Sequence, residues 1–429
     1  MTPQELESKW TAFENHLISW LASQNEFFRW LSLPILAGFF YLLLWPDWTV
    51  VYPGWTRLSL AQDRLWLVII LLFFSLLVKY LSKEKLVIYF GFCILATWTF
   101  SCWKLQVIFP GVFLHPLFLI LMTFGFRVML KSGTQTSKIL TLIFLLLGFA
   151  SSMYISGYVA LNNNPRYLPF FWTLHPEYLL FSGLAILISA WTGQKTNAIY
   201  FLAPTQVVYP TPLPAGTEFK PTSILWWHGF VNLVFALILL KLLFVLAFLP
   251  AFQITILNQI HHYLFFCLFI ISGMNFTSSL LRMYGFNVMD ATSFLFLANS
   301  PLDFWRRASN YLYHFMFENI FIPSFRKFRS LVLSVAICVF AIGTQMFLFH
   351  EVFVRWFYSF FFPEFTANIQ PIGGTLVWVA KYLFLWLALS FIYQKTIYNF
   401  YLKRQLIGNS WVLPVLTQIL IVAVSLLYI

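Results

Sequence analysis

Apolar residues in this chain come in long runs separated by short polar segments, and that pattern governs the first reading. Runs able to cross about 30 Å of hydrocarbon lie at about residues 65–82, 86–109, 111–130, 139–162, 176–192, 223–249, 253–276, 330–356, 373–394 and 410–429, with a shorter candidate at 31–45. A bilayer offers no partner for backbone N–H and C=O groups, so each run is expected to be a helix. The expected fold is all-α: a polytopic integral membrane protein of about eleven transmembrane helices.

Three segments break the pattern. Residues 2–30 read as an amphipathic helix, with Thr2, Pro3 and Glu5 at a capping-box start and Leu6, Trp10, Phe13, Leu17 and Leu21 at helical spacing. It carries four acids and two bases, so its expected contact is the bundle itself or a protein partner more than anionic lipid. The chain therefore divides into an N-terminal helix, 1–30, and a multi-spanning domain, 31–429. Residues 203–222, APTQVVYPTPLPAGTEFKPT, are too rich in proline for a regular helix and read as a cytoplasmic loop or re-entrant segment. The third is Ser300 to Pro323, where ionisable groups collect.

Composition supports a lipid environment. Of 429 residues 60% are hydrophobic and 9% charged, more apolar surface than a soluble domain can bury. A formal charge of +12 fits basic cytoplasmic loops and does not call for nucleic acid. With the N-terminus inside, alternation of the spans puts Arg29, Lys79, Lys220, Arg282, Arg326 and Lys395 with most other loop cations on the inner side, and only Arg57, Arg64 and Arg166 outside. The C-terminus is then expected outside. The start MTPQELESKW has no basic segment followed by a short apolar core, so no cleaved signal is expected. Cys93, Cys102, Cys267 and Cys338 lack CxxC spacing and read as buried thiols.

In SPLDFWRRASNYLYHFMFENIFIP, Ser300, Pro301 and Asp303 signal a helix start. Asp303, Arg307, Asn310, His314 and Glu318 then follow at steps of four, three, four and four, on one expected face. Taken alone, this is equally the pattern of a solvated interfacial helix, with Asp303–Arg307 and His314–Glu318 as i,i+4 pairs. The next run, AIGTQMFLFHEVFVRW, carries His350 and Glu351 in apolar sequence. A charged group at mid-bilayer costs about 2.5–3.5 kcal/mol on insertion scales and usually lines a cavity or reaction path. A hydrogen-bonded core histidine, with Glu351 held by Arg355, is the plainer alternative.

Together these segments resemble the membrane-bound O-acyltransferase (MBOAT) family, in its alginate-type bacterial branch or a divergent relative. Arg282, Gly285, Phe286, Phe304, Trp305, Arg306, Arg307, Ile322, Pro323 and His350 follow that branch's motif order at similar spacing, over roughly residues 270–352. His350 followed by Glu351 resembles the sterol and diacylglycerol branches. The chain departs from the pattern at Ala308 and Ser309, where the family often has Trp-His, at Phe317 and Glu318, and at Asn275.

The resemblance implies an MBOAT-like bundle with interfacial or re-entrant helices in a bacterial cytoplasmic membrane. It implies transfer of an acyl group from acyl-coenzyme A or an acyl carrier thioester, as co-substrate, to a hydroxyl of a lipid, glycan or polymer, with no bound cofactor. His350 would be the base, with His314, Glu318 and Asn319 as catalytic polar partners. Trp305, Arg306, Arg307 and Asn310 would meet the substrates; the arginines are equally ordinary inner-loop cations. The alternatives are an MBOAT-like scaffold or lipid-binding subunit without catalysis, and a transporter or flippase, against which no inverted repeat is visible.

Other chemistry is thin. His261 and His262 are adjacent, point about 100° apart on a helix, and have no carboxylate or cysteine at ligand spacing, so no metal is expected. His115, His175 and His228 read as interfacial or ordinary polar residues. No GxSxG, HExxH or phosphate-cradling glycine loop is present.

Overall fold

A computed structural model describes residues 1–44, 48–50, 58–60, 72–81, 134–140, 218–247, 255–290, 292–308, 310–346, 392–403 and 410–426, together with short pieces at 88–89, 92–93, 96, 142–143 and 146–147. The described part is mostly helical. Its helices are α1 (Pro3–Ser23), α2 (Glu26–Leu44), α3 (Ser223–Ala247), α4 (Thr255–Met283), α5 (Pro301–Ala308), α6 (Asn310–Met316), α7 (Ile322–Phe328), α8 (Leu331–Met346), α9 (Asn399–Lys403) and α10 (Val412–Leu426). Phe317–Phe321 and Gln394–Tyr398 are π-helical. Two small antiparallel pairs complete it: β1 (Trp48–Val50) with β2 (Leu58–Leu60), and β3 (Glu218–Phe219) with β4 (Phe286–Asn287). Of the expected runs, 111–130 and 176–192, most of 86–109 and 139–162, and the parts 65–71, 347–356 and 373–391 of three others lie outside the described residues, as do residues 203–217 of the proline-rich stretch.

Helices stand where the apolar runs at 31–45, 223–249, 253–276, 330–356 and 410–429 are expected. Among the described residues, however, no helix is long and apolar enough to cross a membrane. Two local expectations are corrected. The N-terminal segment is two helices, not one: Ser23 Oγ and Gln24 Nε2 both donate to Trp20 O, Gln24 is extended, and Asn25 Oδ1 accepts from Phe27 N to start α2. Side-chain capping here overrides the hydrophobic period. The end of the proline-rich stretch, read as loop, contributes β3, which β4 pairs across Glu218–Asn287 and Phe219–Phe286.

The α3–α4 hairpin is the centre of packing. Gly229 allows it: a Cβ there would lie 2.4 Å from Ser279 O and 2.7 Å from the Met283 side chain, the close approach that small residues permit between helices. Trp226, Trp227, Leu233 and Leu237 of α3 join Leu280 and Met283 of α4, Ile18 of α1, Leu36 of α2, and Leu72 and Leu76 in one core. A second core joins Tyr263, Cys267, Phe304, Ala308 and Ile421. Cys93 and Cys267 are buried free thiols and Cys338 is half-buried; Cys102 is outside the described residues.

Candidate functional site

The site grows from the end of α4. Gly285 sits at φ +87°, and a Cβ there would lie 2.9 Å from Pro221, so the turn that ends the helix needs glycine. The turn sends Phe286 into full burial against Phe219, 5.5 Å away edge to face. It also curls the following loop over Arg282, whose Nε donates to Val288 O at 2.9 Å and whose Nη1 donates to Asp290 Oδ1 at 2.5 Å. Arg282 is 4% exposed. A guanidinium held in this way by a carbonyl and a carboxylate is a satisfied buried charge.

Around Asp290 several elements converge. Asn232 of α3 donates to Asp290 Oδ1 at 3.0 Å, and Asn310 of α6 donates to Asp290 O at 2.8 Å. His228 Nε2 lies 3.3 Å from Arg282 Nη1 and 3.2 Å from Glu14 Oε1 of α1. One ring nitrogen cannot serve both neighbours. Unprotonated, it accepts from Arg282 and leaves Glu14 without a donor; protonated, it donates to Glu14 and faces the guanidinium. Glu14 Oε1 is buried and has no hydrogen-bond partner.

A second ionic knot lies on α5. Ser300 Oγ caps the helix by accepting from Asp303 N at 3.1 Å. Asp303 Oδ2 accepts from Asn299 N and Arg307 Nε, both at 3.0 Å, while Oδ1 accepts from Arg306 Nε at 3.0 Å and Nη2 at 2.5 Å. Arg307 reaches on to Glu7 of α1 at 3.3 and 3.4 Å. Burial alone would raise the Asp303 pKa, but Arg307, the Asn299 amide and Arg306 outweigh it and hold the carboxyl below its usual range. Burial would likewise weaken the Arg307 cation; Asp303 and Glu7 overcome that and keep it charged.

The expected stripe is divided between these knots. Arg307 turns to Glu7 and Asp303, and Asn310 to Asp290. His314 Nδ1 and Glu318 Oε1 are 3.8 Å apart and partly exposed, too far for a hydrogen bond. Glu318 and the backbone of Asn319 belong to the π turn, which widens the helix between α6 and α7; the Asn319 side chain lies outside the described residues. Tyr313, Phe317, Phe321 and Phe325 stack along this stretch at 5.3–5.9 Å with near-parallel planes. Trp305 packs edge to face on Phe304 at 5.8 Å, and Arg306 is exposed apart from its bond to Asp303. His350 and Glu351 lie outside the described residues.

Sequence reasoning missed Glu7, Glu14, Asn232 and Asp290, and it gave His228 only a generic role. The available signal was Glu7 and Glu14, two turns apart beside the apolar stripe of α1, facing a chain segment rich in arginine. Among the described residues no group of His, Cys, Asp or Glu is arranged to hold a metal ion. No known family model matches the chain, and no curated protein matches it.

Proposed function

We propose that this chain is a membrane-embedded acyltransferase on an MBOAT-like bundle, moving an acyl group from a thioester to a hydroxyl of a lipid, glycan or polymer. The observation that carries the reading is the block from Arg282 to Arg307. Of the ten residues on which the family resemblance rests, Arg282, Gly285, Phe286, Phe304 and Arg307 are buried, each with a specific architectural partner, while Trp305 and Ile322 are half-buried, Arg306 and Pro323 are exposed, and His350 lies outside the described residues. From this block Asn310, His314 and Glu318 lead toward α8, and His350 follows α8 by four residues in the chain.

The membrane setting is supported by side. Arg29, Lys79, Thr222 and Arg282 flank four different apolar runs, and span alternation assigns all four to the inner face. They line one hollow. Phe340, Leu331 and Val332 on α8 and Val415 and Ile419 on α10 are at least half exposed, as side chains facing lipid would be.

In this chemistry His350 takes the acceptor hydroxyl proton as the oxygen attacks the thioester carbonyl; the C–O bond forms, the C–S bond breaks, and the proton passes to the departing thiolate. His314, Glu318, Asn319 and Asn310 supply polar contacts for the ring or the oxyanion. Trp305 and Arg306 contact the donor, acyl-coenzyme A or an acyl carrier thioester. Arg307 is already engaged by Glu7, so a donor phosphate reaching it competes with α1. That engagement favours a second reading, a catalytically silent scaffold whose motif is strapped shut.

One assay decides between them. The purified full chain is given radiolabelled palmitoyl-coenzyme A with membrane lipid, and thiol release is followed. Loss of about a hundredfold or more in His350→Ala, with His16→Ala on the exposed face of α1 unaffected, supports the enzyme. Equal release in both variants removes His350 from its role, and no release by the unaltered chain supports the scaffold.

A further inference from the structure

The aromatic stretch that leads from α6 through α7 is unexplained by the acyl-transfer reading. Phe317, Phe321, Phe325 and Phe328 recur at steps of four, four and three, the spacing of one helix face. Phe317, Phe321 and Phe325 stack on one another, with ring centroids 5.3 and 5.9 Å apart, and none of the four enters either core described above. Phe317, Phe325 and Phe328 are each more than a third exposed. Phenylalanines left in water forgo the free energy that burial returns, and a contiguous patch of them marks a surface that something covers.

The same exposed apolar surface continues into α8. Arg329 ends α7 in the left-handed region, at φ 51°, with its N–H donating to Phe325 O at 2.8 Å. Ser330 Oγ then starts α8 by accepting from Leu333 N at 3.3 Å, and the two helices stay in contact. Leu331 and Val332 are 61% and 60% exposed, and Phe340 farther along is 73% exposed. A cover that suits α8 is therefore apolar and extended, and it reaches Phe325 and Phe328 as well.

Charge narrows the choice of cover. Arg326, Lys327 and Arg329 are all exposed, and among the described residues none of them has a carboxylate partner. Lys327 Nζ lies 5.4 Å from the centre of the Phe328 ring, a contact that leaves the ammonium open on its other side. Arg326 and Lys327 fall about 100° and 200° round the helix from Phe325, off the aromatic stripe. The preceding acid, Glu318, faces His314. A purely apolar partner would strand three cations, and a soluble acidic partner would leave the apolar start of α8 in water. A leaflet containing acidic phospholipid meets both demands, with acyl chains below and phosphodiesters at the rim.

We infer that Phe317 to Val332, with α7 at its centre, is a docking surface for acidic phospholipid. Phe325 and Phe328 enter the acyl boundary, and Arg326, Lys327 and Arg329 meet the headgroup phosphodiesters. The contact anchors the end of the helix that carries His314 and Glu318. It rests on the bilayer setting of the proposed function and on none of its acyl chemistry.

The test is amide hydrogen exchange of the full chain in phosphatidylcholine nanodiscs prepared with or without phosphatidylglycerol. Phosphatidylglycerol should slow exchange over residues 317–333 severalfold, and high salt should remove the effect. The slowing should vanish when Arg326→Gln, Lys327→Gln and Arg329→Gln are combined, and shrink in Lys327→Gln or Phe328→Ser alone. Protection of the α3–α4 hairpin, the same in both lipids and in every variant, shows that the fold is kept. Equal exchange over 317–333 in the two lipids overturns the docking surface, as does slowing that persists in the triple variant or that spreads equally to α3 and α4. A chain that stays in water and does not enter nanodiscs would contradict the bilayer setting itself, and with it this contact.

Discussion

Gly285 and Asp303 show how single residues set this site. At φ +87° and with Pro221 2.9 Å from any added Cβ, Gly285→Ala combines backbone strain with a clash. A loss of about 1–3 kcal/mol is expected, read as a lowered thermal midpoint in detergent. Asp303 makes the pH prediction. Its folded pKa lies below the ordinary 3.8, so its contribution to stability is fully present above that value and is lost as pH falls through the lowered one. Asp303→Asn should therefore be less stable than the parent at neutral pH by a gap that narrows on acidification. A gap independent of pH down to about 3 would remove the carboxylate from this role. The Ser300 cap was legible because capping is local. The Arg307–Glu7 bond was not, because 300 residues separate its ends and no periodicity encodes such a pair.

At the scale of elements, α1 is fastened to the rest by charge as well as by apolar contact. Ile18 enters the core, Glu7 meets Arg307, and Glu14 meets His228. Glu7→Gln with Glu14→Gln should speed amide hydrogen exchange in residues 3–23 severalfold while the α3–α4 hairpin keeps its protection; exchange that rises equally in both elements would mean that α1 is part of one cooperative core. The Glu7→Gln and Arg307→Lys pair should show a coupling of about 1 kcal/mol in a double-mutant cycle, whereas additivity within error would leave the pair without structural weight. The amphipathic face of α1 could be read from Leu17 and Leu21, but the break at Gln24 could not, since three adjacent polar side chains decide it against an unbroken apolar rhythm. The π turn at Phe317–Phe321 was hidden for a related reason. Its aromatic residues keep i,i+4 spacing, which an ordinary α-helix shares.

For the whole molecule, the proposed function requires residues far apart in sequence to lie on one side of a bilayer. The alternation of apolar runs and the distribution of Lys and Arg assign Lys79, Thr222 and Arg282 to the inner side as an expectation, and the fold brings the three to one hollow. What the runs could not show is which ends meet, because every apolar helix looks alike to its neighbours until small residues such as Gly229 select a partner. Cysteine accessibility tests the arrangement most directly. Lys79→Cys, Lys220→Cys and Arg326→Cys, each expressed in intact bacterial cells, are treated with a membrane-impermeant maleimide before and after permeabilisation, beside Arg166→Cys. The account predicts that the first three react only after permeabilisation and that Arg166→Cys reacts in intact cells; Lys79→Cys and Lys220→Cys reacting from opposite sides would contradict it.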